Sequence, residues 1–125
     1  MVDRLDGPTP GVMLFEDHRL LLVGPDLVGL GGTQWGVARG APGGELVDLD
    51  PSLHLRLSGL VRHLVSTGMV GGVHDLAAGG LGTALAEMAA RSGVGLHVAR
   101  VPDHRALFGE GPSRVCLLYT SDAAD

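Results

Sequence analysis

With 125 residues, nine Arg and no Lys against fourteen Asp plus Glu, and a formal net charge of -5, the chain is acidic and of single-domain size. Apolar residues make up 45% and charged residues 18%, which suits a buried aliphatic core and excludes a disordered chain. Aromatics are only 3%, so stacking platforms for single-stranded nucleic acid have few residues to be built from, and the acidic balance argues further against a nucleic-acid partner.

A single cysteine, Cys116, allows no internal disulfide, and a cytoplasmic protein is the expectation. The first residues carry no apolar targeting segment, and no apolar run approaches the roughly 18 to 20 residues of a membrane span. Without lysine there is no Walker A loop and no Schiff-base or phosphate-gripping lysine.

In chain order, Arg19-Leu-Leu-Leu-Val-Gly24 is a short apolar run closed by Gly and Pro, read as a strand buried on both faces. The following stretch, Gly29-Leu-Gly-Gly-Thr-Gln-Trp-Gly36, has two readings: an anion cradle of converging backbone N–H groups, or a plain loop. Asp50-Pro51 then supplies an N-cap and a first-turn proline. Leu53, Leu57, Leu60, Val61, Leu64 and Val65 recur at helical period, and Gly68 offers a left-handed stop. His54 and His63 on this helix are about 13 Å apart along its axis, too far to share a metal, and are expected on the surface.

Val70 to Val73 reads as a strand feeding His74-Asp75-Leu-Ala-Ala-Gly-Gly-Leu81. Leu81, Ala84, Leu85, Met88 and Ala89 then form a second amphipathic helix ending near Gly93. A strand-end acid followed by two glycines opening a helix aims donors at an anion, and the acid suits a divalent cation whose other oxygens come from a phosphate. Equally, Asp75 caps a turn and the glycines allow close packing. A third strand is expected over Leu96 to Val101, stopped by Pro102. In Leu107-Phe-Gly-Glu-Gly-Pro-Ser-Arg-Val115 the polar Glu110, Ser113 and Arg114 lead into a short strand, although such a pattern alone is most often a turn. Residues 116–125 show neither strand nor helix period and resemble a translated sequencing adapter, so this tail is expected to be foreign; a frayed terminus is the plainer alternative. No nucleophile elbow, metalloprotease helix or paired-cysteine motif occurs.

Taken together, Pro8-Thr-Pro10, Gly31-Gly-Thr-Gln-Trp35, Val47-Asp-Leu-Asp50, His74-Asp-Leu-Ala-Ala-Gly-Gly-Leu81, Ala84-Leu-Ala-Glu-Met88 and Leu107–Val115 resemble, in order and spacing, the phosphoribosylformylglycinamidine synthase family. The resemblance covers about residues 7 to 115. It implies an α+β fold, a mixed β-sheet with helices packed on it, like the C-terminal domain of aminoimidazole ribonucleotide synthetase and partly ferredoxin-like. Residues 1–17 would close a preceding ATP-binding lobe, and 18–115 would form the C-terminal lobe.

The activity implied is the ATP-dependent conversion of formylglycinamide ribonucleotide and glutamine-derived ammonia to formylglycinamidine ribonucleotide in purine biosynthesis, with Mg²⁺ and ATP/ADP bound in the cleft between lobes. The implied partners are the N-terminal lobes, a glutaminase subunit or domain and a small bridging subunit. By the same resemblance, Gly31, Gly32, Thr33, Gly79, Gly80, Glu110, Ser113 and Arg114 are nucleotide- or phosphate-binding and Asp75 is a Mg²⁺ contact. No catalytic residue is assigned, and the chain alone is expected to be inactive. Two departures stand out. Ala77-Ala78 replaces the family's Ser-Asp or Ser-Glu, and the connection from Pro10 to Leu20 is short. Alternatives are a lobe of a selenophosphate, thiamine-phosphate or hydrogenase-maturation ATPase, a stand-alone anion-binding module, and a structural lobe with vestigial loops.

Overall fold

The computed structural model describes residues 10–120. Part of the Pro8-Thr-Pro10 motif, most of the expected preceding-lobe segment and positions 121–125 lie outside the described residues. The order is β1 (His18–Val23), α1 (Gln34–Ala38), α2 (Pro51–Ser66), β2 (Gly72–Asp75), α3 (Gly80–Ser92), α4 (His104–Phe108) and β3 (Val115–Thr120). The sheet runs β1-β3-β2. Both outer strands are antiparallel to β3, from Val23 opposite Val115 to Asp75 opposite the same residue. β1 and β2 are therefore parallel to each other with β3 inserted between them, the split β-α-β arrangement of ferredoxin-like folds. The fold is α+β.

Local chemistry explains the long helices. Asp50 caps α2 by accepting the Leu53 N–H at 3.0 Å, Pro51 fills the first turn, and Gly68 turns the chain at φ +69°. The apolar stripe Leu57, Val61, Leu64 and Val65 packs on Val115 and Leu117. On the other face, Ala84 and Met88 of α3 pack with Leu14, Leu76, Cys116 and Leu118. β3 thus sends alternate side chains into two cores, and the layers stack as α2, sheet, α3.

This placement corrects three expectations. Residues 116–120 are regular structure: with Val115 they form the central strand, and burial on both faces removes the polar alternation that normally betrays a strand. β1 is a strand but not doubly buried, since it lies beside only one neighbour and leaves Leu21 and Leu22 46% and 45% exposed. Leu96 to Val101 is irregular. Its Leu96 and Val98 stay 40% and 43% exposed, and Arg100 turns to φ +62°, so pairing yields no burial there.

Two five-residue helices, α1 and α4, were not expected from the sequence. Thr33 caps α1 and Asp103 caps α4 through side-chain oxygens that accept the Gly36 and Ala106 N–H groups. Neither is long enough to stand alone. They are pinned together by the Trp35 ring stacked 4.7 Å from Phe108, with Arg39 over the indole at 4.6 Å.

Candidate functional site

A cleft of about 580 Å³ opens where the glycine loop before α1, the end of β2, the start of α2 and the 110–114 turn meet. Six of the nine sequence-derived candidates line it: Gly31, Gly32, Asp75, Glu110, Ser113 and Arg114. The other three are placed differently. Thr33 is buried, donates its hydroxyl to the Leu30 carbonyl at 2.6 Å and caps α1. Gly79 is the N-cap of α3, and Gly80 packs against α4, with Gly109 O 2.5 Å and Leu107 O 2.8 Å from where a Cβ would stand.

The glycines answer first to the chain itself. A Cβ on Gly31 would lie 2.4 Å from the Glu45 carbonyl oxygen, so this glycine admits the neighbouring loop. The donors at the two helix starts are also engaged. Oε1 of Glu110 accepts the Gly79 N–H at 2.8 Å and the Gln34 N–H at 2.9 Å, bridging the N-termini of α3 and α1. Its backbone is fixed to Gly29 by hydrogen bonds of 2.9 and 3.0 Å. A carboxylate of the chain therefore sits where the sequence suggests an anion, as expected of converging N–H groups and helix dipoles.

Asp75 ends β2 with its side chain 81% exposed. Among the described residues no three His, Cys, Asp or Glu side chains converge as a metal-ligand set. The preceding His74 clamps strand to helix: Nδ1 lies 2.6 Å from the Asp75 carbonyl oxygen and Nε2 3.0 Å from Oε2 of Glu87. Ala77 and Ala78 line the cleft with methyl groups.

Arg114 is 6% exposed, and its Nε and Nη1 have no hydrogen-bond partner. Burial holds the guanidinium below its ordinary range, opposed by the charges of Asp26 and Cys116. Cys116, next along β3, has its thiol pushed up to about 11 by burial, opposed by Arg114. His54 joins the cleft as well, its Nδ1 2.9 Å from Oγ of Ser113. It stands three residues before Leu57 and seven before Val61, on the flank of the stripe that faces the sheet, and that spacing was the signal available in the sequence.

Residues 16–122 match the family described as AIR synthase related protein, C-terminal domain. The chain belongs to that family. It is 38% identical over 120 residues to phosphoribosylformylglycinamidine synthase subunit PurL of Nocardioides sp., covering 94% of this chain and 16% of the relative. The corresponding subunit of Moorella thermoacetica is 34% identical over 114 residues, covering 88% of this chain and 16% of that one. The chain thus spans about a sixth of the length of these relatives. Among solved structures it is similar to T. maritima PurL complexed with FGAR, with a TM-score of 0.69 at 20% identity over 93% of this chain and 22% of that one. PurLQS from Thermotoga maritima superposes with a TM-score of 0.54 at 20% identity, over 98% and 20%. No described helix is long and apolar enough to cross a membrane.

Proposed function

We propose that the chain is part of the C-terminal lobe of a phosphoribosylformylglycinamidine synthase, a cytoplasmic ligase of purine biosynthesis. The carrying observation is identity of 34% to 38% to PurL subunits across nearly the whole chain. In this reading the lobe runs from residue 18 through the central strand β3, and residues 1–17 close the lobe before it. The complete enzyme takes ATP, formylglycinamide ribonucleotide and glutamine-derived ammonia, working with its N-terminal lobes, a glutaminase and a small bridging subunit. The chain alone is catalytically silent.

The cleft is then one wall of a site for a phosphorylated ligand. Mg²⁺ would neutralise phosphate charge, and Asp75 fits it as a single exposed carboxylate, because magnesium is held by one or two carboxylates with waters and phosphate oxygens completing the shell. Gly31 and Gly32 seat the 44–46 loop that forms part of that wall, with the Glu45 carbonyl oxygen and the Leu46 side chain 2.4 and 2.7 Å from where their Cβ atoms would stand. Glu110 holds the two loops at a fixed separation, and Ser113 and Arg114 offer a hydroxyl and a guanidinium to an anionic oxygen.

Thermal unfolding of the chain with and without ADP and Mg²⁺ tests this. The melting temperature is expected to rise with Mg-ADP, and Asp75→Ala is expected to remove most of the rise. No shift in the parent chain, or an equal shift in Asp75→Ala, overturns the assignment. Ammonia- or glutamine-dependent turnover by the chain alone would refute its being silent.

A further inference from the structure

The sheet treats its two edges differently. Along the outer side of β2, Gly11 bridges Gly72 and the Gly11 carbonyl accepts the Val73 N–H at 2.9 Å, so that edge is covered by the chain itself. On the opposite side, β1 pairs with β3 alone and has no second neighbour among the described residues. Every second residue of such a strand turns its N–H and C=O away from the sheet. β1 also lacks the features that blunt a free edge. His18–Val23 holds one unbroken register over six residues without proline, and Arg19 carries its one formal charge.

Both faces of this edge are apolar and open. Leu22 stands on the α3 side, in a groove of about 540 Å³ lined by Leu20, Leu81, Leu85 and Cys116, where Phe15 and Val98 also remain exposed. Leu21, opposite Leu117, stands on the α2 side, and α2 leaves it half exposed. A helix laid in the groove would cover Leu22 and leave Leu21 in water. A strand added in the plane of the sheet shields both leucines and pairs the outward backbone groups.

We infer that β1 is an interface strand and that its occupant is β1 of a second copy of this chain, so that two three-stranded sheets join into one of six. The inference goes beyond the proposed function and does not depend on it. Its ground is that β1 is its own complement. A two-fold axis normal to the sheet sets the strands antiparallel and keeps like faces together, and residues opposed in such a pair share a face. Centred on Leu21, the pairing puts Leu21 against Leu21, Leu20 against Leu22 and Arg19 against Val23, with no like charges opposed. Centred on Leu20, it would put Arg19 against Leu21 and His18 against Leu22, leaving a single leucine pair. The Leu21 register is therefore the one assigned.

Sedimentation velocity of the chain across the micromolar range is the test. The parent is expected to sediment at twice its monomer mass. Leu21→Lys sets two like charges face to face at the axis and is expected to weaken association at least about a hundredfold, with an unchanged far-ultraviolet circular dichroism spectrum because position 21 is half exposed. Leu55→Lys, at a more exposed position on α2, is the control and should leave the dimer intact. Oxidative cross-linking reads the register without relying on Leu21→Lys. Opposed Cα atoms in an antiparallel pair are about 4.5–5.5 Å apart, within reach of a disulfide. Leu21→Cys should therefore form a covalent dimer, whereas Leu22→Cys, opposed to Leu20, should not, and the fully buried Cys116 takes no part. A parent chain that is monomeric throughout the range overturns the inference and assigns the edge to a different polypeptide. Equal dissociation by Leu55→Lys, or cross-linking of Leu22→Cys in preference to Leu21→Cys, overturns it as well.

Discussion

At the glycine-loop corner of the cleft, backbone donors converge as an anion site requires, and a carboxylate from the chain, Glu110, already fills the place. At the Ser113–Arg114 corner a guanidinium is buried without a partner, and the nearby charges of Asp26 and Cys116 act on it only through space. One corner uses its donors to hold α1, α3 and the 110–114 turn together, while at the other two guanidinium nitrogens are buried with no partner. Glycine-rich turns at helix starts are therefore an incomplete guide to where a ligand goes. What matters is whether the same chain has satisfied their N–H groups.

The strongest challenge to the first corner is Gly80→Val. Its backbone is at φ +66°, and a Cβ would stand 2.5 Å from the Gly109 carbonyl oxygen. The expected loss is about 4 kcal/mol from backbone strain and overpacking, read by urea unfolding. A loss under about 1 kcal/mol would refute the tight α3–α4 seam.

Next in size is Glu110→Ala, which strips the shared acceptor from two N–H groups and is expected to cost about 3 kcal/mol, with Glu110→Gln recovering roughly half. The emptied corner should then behave like the other one. Sulfate should raise the melting temperature of Glu110→Ala more than that of the parent, and equal shifts would mean that the donors do not form a cradle.

The opposite outcome is expected for Arg114→Met. Replacing an unpartnered buried cation by an apolar side chain of similar length should leave stability within about 1 kcal/mol of the parent, or increase it. A large destabilisation would mean that Arg114 is a structural group with partners satisfied through the fold.

The smallest effect is a pH dependence next to that arginine. With the Cys116 thiol raised from 9.0 to about 11 in the fold, both states are protonated below pH 9. Between pH 9 and about 11 the unfolded chain ionises first, so stability falls across that window and levels off above it. Comparing urea midpoints with a Cys116→Val variant isolates the step, and identical pH profiles would remove it.

Legibility in the sequence followed the range of the interactions. α2 was readable because Asp50, Pro51 and Gly68 mark its ends locally and its apolar period is long. α3 was readable for the same reasons, and Asp75 and the 110–114 turn were both placed in the cleft. The irregular segment from Leu96 to Val101 misled because four alternating residues say nothing about whether a sheet edge is there to receive them. A strand after Arg114 was expected, but its run through 116–120 was missed because a strand buried on both sides has no alternation to detect, and α1 and α4 because five residues acquire helical structure only through the Trp35–Phe108 stack. His54 is exposed on α2, as expected of a surface residue, but its contact with Ser113 is distant in sequence and no local pattern announces it.

The insertion of β3 between two earlier strands also sets an order of events during synthesis. β1 and β2 share no ladder of their own, so neither can begin a sheet until the segment from Val115 onward has emerged. At about 5–20 residues per second, the roughly ninety residues between Val23 and its partner leave β1 waiting several seconds on the ribosome. During that interval Leu20, Leu21 and Leu22 are without strand partners, which makes the nascent first half of this lobe a natural client for a chaperone that holds apolar strands apart.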